Sequence, residues 1–193
     1  MAEVNEEIAK AYFEEICRYF VETDHYFKKS SKKAHKRGGT GPSDIDLLLL
    51  HPTEGIYGKR AMVSVKGWHG YVLNSENCKK NYKWMHGFEK QDLDAAEDRF
   101  KSKDFSKILV VPRINEEERE EVERYAKECK GIDYIITFPF MLKEIFDKIG
   151  DSSRYYKESE VLHTLTVSYR HYITPIIEEN IKLKKDISKL ERR

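Results

Sequence analysis

The stretch SDIDLLLLHPTEGIYGKRAMVSVKGW, residues 43–68, decides the fold of this chain. Its first part, SDIDLLLLHP, is almost continuously apolar, which predicts a largely buried strand that ends at Pro52. Gly55 and Gly58 then predict a turn, and KRAMVSVKGW predicts the strand that returns from it. The stretch therefore predicts a β-hairpin.

Polar residues fall on one face of each predicted strand. Because side chains alternate between faces, Asp44 and Asp46 share a face of the first strand, and Ser64 and Lys66 share a face of the second. If the strands pair, Asp46 and Lys66 converge on one side of the hairpin. One interpretation is a structural ion pair, or simple exposure at the strand ends. The other is phosphodiester hydrolysis, in which the carboxylate holds Mg²⁺ and the lysine steadies or deprotonates the attacking water. Spacing alone leaves both open.

The remaining elements follow from apolar periodicity and from capping and turn residues. Helices are predicted over residues 5–23, 75–100, 115–131 and 141–150, and further strands at the front of residues 25–43, in ILVVPRI and in IDYIITFPF. The third of these helices is expected to open with a capping box of Asn115 and Glu118 and to stop near Gly131. The order predicts an α/β fold whose central sheet has mixed strand directions.

Composition fits one α/β domain with a modest appendage. The chain has 193 residues, of which 39% are hydrophobic and 36% charged, so it can fill one core under a densely charged surface. Its net charge of +1 argues neither for nor against nucleic acid, so any electrostatic footprint must be local.

One concentrated positive patch lies between the first helix and the Asp46 strand. It contains no acidic residue and consists of Lys28, Lys29, Lys32, Lys33, Lys36 and Arg37. The patch could be only a solvated loop. Its place in the chain, beside the proposed site, favours contact with the phosphate backbone of DNA.

The cysteines and the hydropathy indicate a cytoplasmic protein. Cys17, Cys78 and Cys129 are odd in number and far apart, which argues against a disulfide framework or a structural zinc site. No apolar run reaches the roughly 18 to 20 residues that a membrane span needs. A reducing cytoplasm and no membrane partner are therefore expected.

Residues 5–150 resemble the PD-(D/E)XK nuclease superfamily, which includes restriction enzymes and archaeal Holliday-junction resolvases. The resemblance rests on an acidic helix, an "xIDLL" strand, a hairpin into an "hxhxK" strand, and the helix–strand–helix–strand order that follows. It implies a restriction-endonuclease-like core over residues 1–150 and Mg²⁺- or Mn²⁺-dependent cleavage of DNA. Asp46 matches the metal-binding aspartate and Lys66 the catalytic lysine. Glu6, in the EExA pattern, matches the first-helix glutamate that many members direct at the metal, and Asp44 a less regular acidic position.

One position departs from the family pattern. The second carboxylate, two residues before the lysine, is Ser64 here, and a hydroxyl is a weaker metal ligand than a carboxylate. Either Glu6 is then expected to take over as second carboxylate, or Asp44 to assist. Ser64 is still expected among the catalytic residues, and the Val65 backbone carbonyl as a further ligand. The alternative is a catalytically degenerate protein of the same fold that acts as a nucleic-acid-binding or assembly module.

Residues 151–193 form a C-terminal extension with a heptad-like apolar stripe. Spacings of three and four alternate along Ile173, Ile176, Asn180, Leu183, Ile187 and Leu190. The stripe is compatible with a terminal helix packed on its own domain and equally with a short coiled coil in a homodimer.

Overall fold

The computed structural model describes residues 2–27, 43–67, 72–80, 87–151 and 160–190. The chain divides into two compact units, Met1–Lys143 and Glu144–Arg193. The first contains the sheet and most of the helices, and the second is entirely helical within its described residues.

A five-stranded mixed sheet, in the order β1-β2-β3-β4-β5, organises the first unit. The first three strands form an antiparallel meander, and the last two add to it in parallel. This confirms the α/β class and the mixed strand directions. The strands are β1 (Phe20–Phe27), β2 (Ser43–Gly55), β3 (Gly58–Val65), β4 (Ser106–Val111) and β5 (Tyr134–Thr137).

Helices precede the sheet, connect its parallel strands and follow it. They are α1 (Ala2–Ala11), α2 (Ser75–Lys80), α3 (Lys90–Phe100), α4 (Arg119–Lys130), α5 (Phe138–Asp151), α6 (Glu160–Ser168) and α7 (Thr174–Leu190). Short π-helical turns follow α1 (Tyr12–Ile16) and α6 (Tyr169–Ile173), and a 3₁₀ turn (Glu116–Glu118) leads into α4.

The predicted hairpin is present, with Leu47 opposite Val63 and Gly55 opposite Gly58 at the turn. Gly58 adopts a φ of 87°, which a residue with a side chain rarely tolerates. β2 does not end at Pro52 as predicted but continues to Gly55, because the pairing becomes irregular after Leu50 and accommodates a residue without an N–H.

The first helix is shorter than the sequence predicted. Its α-helical part ends at Ala11, and the chain leaves the π turn through Arg18, whose φ is 64°. The Tyr19 hydroxyl then donates to the Gly58 carbonyl at 2.8 Å and accepts from the Tyr57 N–H at 2.9 Å. The helix predicted over residues 5–23 therefore ends early, because Tyr19 anchors the distant hairpin turn and Phe20 begins β1.

The single helix predicted over residues 75–100 is wrong, because α2 and α3 are separate. Gly87 has a φ of 105° and is not helical. Two residues later Glu89 and Asp92 form a capping box that starts α3. The break therefore has a local chemical cause, a residue with positive φ followed by a new helix cap.

Two other boundaries differ in detail. β5 ends at Thr137, and Pro139 lies in the first turn of α5, where a missing N–H breaks no helical bond. Asn115 caps the helical segment leading into α4, and Gly131 ends it with a φ of 62°, as predicted. The Glu118 carboxylate, however, accepts from the Asn115 side-chain amide and the Ser75 N–H, so the predicted reciprocal capping box is not formed.

A buried cluster fills the sheet face that carries the even-numbered residues of β2 and β3. Leu48 and Met62 contribute from these strands, Leu109 and Val111 from β4, and the helical neighbours are Cys78, Ala96, Val122 and Ala126. Burying each large aliphatic side chain stabilises the fold by roughly 1.5 to 3 kcal/mol. By strand alternation, Asp46 and Ser64 lie at the end of this same face.

Candidate active site

The antiparallel ladder between β2 and β3 ends at the candidate site. The last regular pair is Leu47 with Val63, and continuing this register places Asp46 opposite Ser64. There Oδ2 of Asp46 accepts a hydrogen bond of 2.6 Å from the backbone N–H of Val65. The Asp46 carboxylate thus accepts a bond that a backbone carbonyl would accept in a regular ladder. This bond holds the negative charge of Asp46 at the end of β3.

Lys66 follows β3 directly and is fixed by its own backbone. Its N–H donates to the Val110 carbonyl at 2.9 Å, which ties the residue to β4. The side chain is mostly buried, and this burial lowers the pKa of Lys66, whereas the negative charges of Asp46 and Asp92 act to raise it. The structure therefore brings Asp46 and Lys66 together, as the sequence predicted, with Lys66 in a poorly solvated place.

Asp92 is an acidic residue of this site that the sequence analysis missed. It is only 3% exposed, and its Oδ2 accepts from the Glu89 N–H at 2.9 Å. Its charge also acts on Lys66, so a second carboxylate lies near the ammonium group. One signal was available: Asp92 and Ala96 are four residues apart and share the buried face of α3, where a carboxylate is unusual.

Ser64 is packed beneath the turn that contains Gly87. The serine is 1% exposed, and a Cβ placed on Gly87 would lie 2.5 Å from its Oγ and 3.7 Å from Nζ of Lys66. A glycine is required here by both its positive φ and this close approach. A larger side chain at position 64, such as the carboxylate that the resemblance implies there, would crowd this turn.

Helix α1 contacts β2 and β3 and reaches the site at its N-terminal part. Asn5 is 3% exposed, and its side-chain amide is so close to Gly67 that a Cβ there would overlap with it. Glu6 is the next residue and is half-buried. Its convergence on Asp46 and its role as second carboxylate stay predictions.

Asp46 and Asp92 carry the type of donor that Mg²⁺ takes. Mg²⁺ is usually bound by one or two carboxylates together with waters and substrate phosphate. Asp46 and Asp92 supply two carboxylates. The N–H and the C=O of a strand residue point toward the same neighbouring strand. We therefore expect the Val65 carbonyl to face β2, as its N–H does. Across the described ranges, no group of three or more His, Cys, Asp and Glu side chains is placed to hold a metal, so water and phosphate would complete the shell.

The structure describes only part of the remaining predicted site residues. Asp44 lies in β2 with its backbone paired to Tyr26. The positive patch lies outside the described residues, between Phe27 and Ser43, which are themselves paired. Phe27 and Ser43 are at the end of the sheet where Asp46 lies. The patch comprises Lys28, Lys29, Lys32, Lys33, Lys36 and Arg37.

Comparison with known proteins finds no significant match. No protein-family model matches the chain, and neither a curated protein nor a solved structure matches it significantly. Among the helices that the structure describes, none is both long and apolar enough to cross a membrane.

Proposed function

We propose that this chain is a Mg²⁺-dependent DNA endonuclease with a restriction-endonuclease-like core. The observation that carries the proposal is the cluster at the end of the β2–β3 hairpin, where the mostly buried Lys66 ammonium lies within the field of two carboxylates, Asp46 and Asp92. A carboxylate and an ammonium group at the end of this strand pair are groups that can serve phosphodiester hydrolysis, one as a metal ligand and the other beside the attacking water.

Each side chain has a distinct part in this chemistry. A bound Mg²⁺ (or Mn²⁺) would polarise the scissile phosphate and acidify a water. Asp46 would hold the cation, with its carboxylate oriented by the Val65 N–H. Lys66 steadies the attacking water and the developing negative charge, and its lowered pKa leaves a larger fraction of it neutral, and so able to accept a proton, than of an exposed lysine. Asp92 supplies the negative charge that Ser64 lacks.

The order of elements supports the same proposal. The chain has an acidic helix, an antiparallel meander with Asp46 in its second strand and Lys66 directly after its third, and two parallel strands joined through helices. This order agrees with the resemblance to the PD-(D/E)XK superfamily. Within this proposal Glu6 approaches the cation from α1.

The patch of Lys28 to Arg37 is proposed to bind the DNA backbone. Removing several of its charges should weaken binding to DNA of any sequence and flatten the dependence of affinity on salt, because fewer counterions are released. Cleavage at saturating DNA should persist in such a variant.

Cleavage of supercoiled and branched DNA in Mg²⁺ or Mn²⁺ tests the function. Wild-type protein should nick these substrates, whereas Asp46→Asn and Lys66→Met should be inactive but still bind DNA. Lys59→Met, which changes an exposed lysine at the start of the same strand, is the matched control and should cut normally. Equal cutting by wild type and Asp46→Asn would refute the proposed site.

The buried Ser64 favours one alternative, a catalytically degenerate protein that binds nucleic acid without cutting it. Its hydroxyl is packed under Gly87 and replaces the usual second carboxylate. Calorimetry separates the two functions: an active nuclease binds Mg²⁺ or Mn²⁺ and loses this binding in Asp46→Asn, whereas a degenerate protein binds DNA with no divalent cation.

A further inference from the structure

The second unit contains one long helix with an interruption. α6, the π turn Tyr169–Ile173 and α7 follow one another without a break from Glu160 to Leu190. Pro175 has no N–H to donate to the carbonyl one turn earlier, and the π turn ends two residues before it. The Thr174 hydroxyl donates to the Tyr169 carbonyl at 3.0 Å, and the Thr174 backbone N–H donates to the same carbonyl.

Burial changes sharply along this helix. Near its start Leu162 is 1% exposed and Thr166 is fully buried, and the Tyr169 ring stacks on Phe146 at 4.9 Å. Beyond the π turn, Ile176 is 59% exposed and Leu183 53% exposed. Apolar side chains of α7 are therefore open to solvent within the described part of this unit, at an energetic cost that a partner surface would remove.

The residues of the stripe fall on the a and d positions of a heptad repeat. Counting Ile173 as position a, the a positions are Ile173, Asn180 and Ile187, and the d positions are Ile176, Leu183 and Leu190. Ile173 and Ile187 at a with Leu183 and Leu190 at d form the combination that favours two parallel strands, and Ile176 is the one d position that departs from it. The pattern thus indicates a second helix of the same kind as the partner.

Asn180 is a polar residue placed at a central a position. It is exposed, and its side-chain nitrogen donates to the Ile176 carbonyl of its own helix at 2.9 Å. An asparagine at one a position lowers the stability of a coiled coil but fixes its register and its number of strands. Asn180 is therefore expected to lie opposite Asn180 of the second copy.

The charges that flank the stripe are complementary in one orientation. Glu179 occupies position g and Lys184 the following position e, and both side chains are exposed. In a parallel pair, position g of one helix faces the next position e of the other, so Glu179 meets Lys184 twice across the seam. An antiparallel pair would not bring these two residues together.

We propose that α7 pairs with α7 of a second copy of this chain as a short parallel coiled coil, with Asn180 at its centre. Under three heptads of seam bury little surface, so the dimer is weak and forms at high protein concentration. The proposal is independent of the proposed nuclease function.

Sedimentation velocity of the full chain over a concentration series tests this dimer. Wild-type protein should shift from a mass near 22.8 kDa toward twice that value as its concentration rises. Leu183→Glu, in the seam, should weaken association by at least about tenfold, because it places two carboxylates face to face. Ile181→Glu is the matched control, since Ile181 is 48% exposed on the same helix but outside the seam, and it should dimerise like wild type.

Charge reversal tests the parallel orientation. Glu179→Lys alone should weaken the dimer, and adding Lys184→Glu to it should restore wild-type association, because the attraction is re-formed with the signs exchanged. A wild type that stays monomeric at every concentration would overturn the proposal. So would equal effects of Leu183→Glu and Ile181→Glu, or a double variant no better than Glu179→Lys.

Discussion

The carboxylate of Asp46 accepts a hydrogen bond of 2.6 Å from the backbone N–H of Val65, across the end of the hairpin that joins their strands. The bond couples the charge of the candidate site to the pairing of β2 with β3. Asp46 is thus both a structural acceptor and the proposed metal ligand, and the two roles respond differently to substitution.

We predict that Asp46→Asn and Asp46→Ala separate these roles. Asparagine keeps an oxygen for the Val65 N–H but loses the charge, so metal binding and cleavage should disappear with little change in thermal stability. Alanine also leaves the N–H without this acceptor, which should lower the free energy of unfolding by about 1 to 3 kcal/mol. Denaturant titration and calorimetry with Mg²⁺ measure the two effects. Equal stability of the two variants would show that the hydrogen bond contributes nothing measurable.

Gly87→Ala is predicted to be strongly destabilising. The new Cβ would be held at a φ of 105° and 2.5 Å from Oγ of Ser64, so backbone strain and overpacking together should cost about 2 to 4 kcal/mol. Thermal and denaturant unfolding measure this loss.

Gly131→Ala is the control for Gly87→Ala. Gly131 also has a positive φ, of 62°, but the nearest atom to its added Cβ is the flexible tip of Lys107 at 3.1 Å. Gly131→Ala should therefore lower the free energy of unfolding by only about 1 kcal/mol. Ser64→Ala should recover part of the loss in the Gly87→Ala background, and no recovery would mean that the contact with Ser64 is not the cause.

These contacts show which parts of the site were visible in the sequence. The convergence of Asp46 and Lys66 was predictable because strand alternation and a short turn are local properties. The spacing of Asp92 from Ala96 indicates a shared helix face, but the approach of Asp92 to Lys66 depends on the helix break at Gly87 and on the contact of that glycine with Ser64, which is distant in sequence. The first helix was extended too far for the same reason: Tyr19 has helical spacing, but its hydroxyl bonds the turn at Tyr57 and Gly58.

We predict very different reactivities for two of the cysteines. Cys78 is 1% exposed, and burial, with a smaller contribution from Cys129, raises the pKa of its thiol to about 11, whereas Cys129 is exposed. At neutral pH, iodoacetamide should modify Cys129 in the native protein and Cys78 only after unfolding. Mass spectrometry of the labelled peptides reads this out, and Cys129→Ser should remove the fast reaction.

The raised pKa of Cys78 also makes the free energy of unfolding depend on pH in the alkaline range. A thiol whose folded pKa exceeds its ordinary value near 9 stabilises the fold fully below that pH, and this contribution is lost as the pH rises toward 11. Cys78→Ala should therefore show a flatter decline of unfolding free energy between pH 9 and 11 than wild type. Parallel declines for the two proteins would show that Cys78 does not titrate in this window.

The final prediction concerns Asp92, which the nuclease proposal uses in place of a carboxylate at Ser64. Asp92→Asn keeps an oxygen to accept from the Glu89 N–H, so α3 should retain its cap, but the negative charge near Lys66 is removed. A cation bound by fewer charges is held less tightly, so Mg²⁺ affinity and cleavage should each fall by about tenfold or more. Asp94→Asn, an exposed change on the same helix, should leave both unaltered. If Asp92→Asn cuts and binds Mg²⁺ like wild type while Glu6→Gln does not, the second carboxylate comes from α1 and Asp92 serves only to cap its helix.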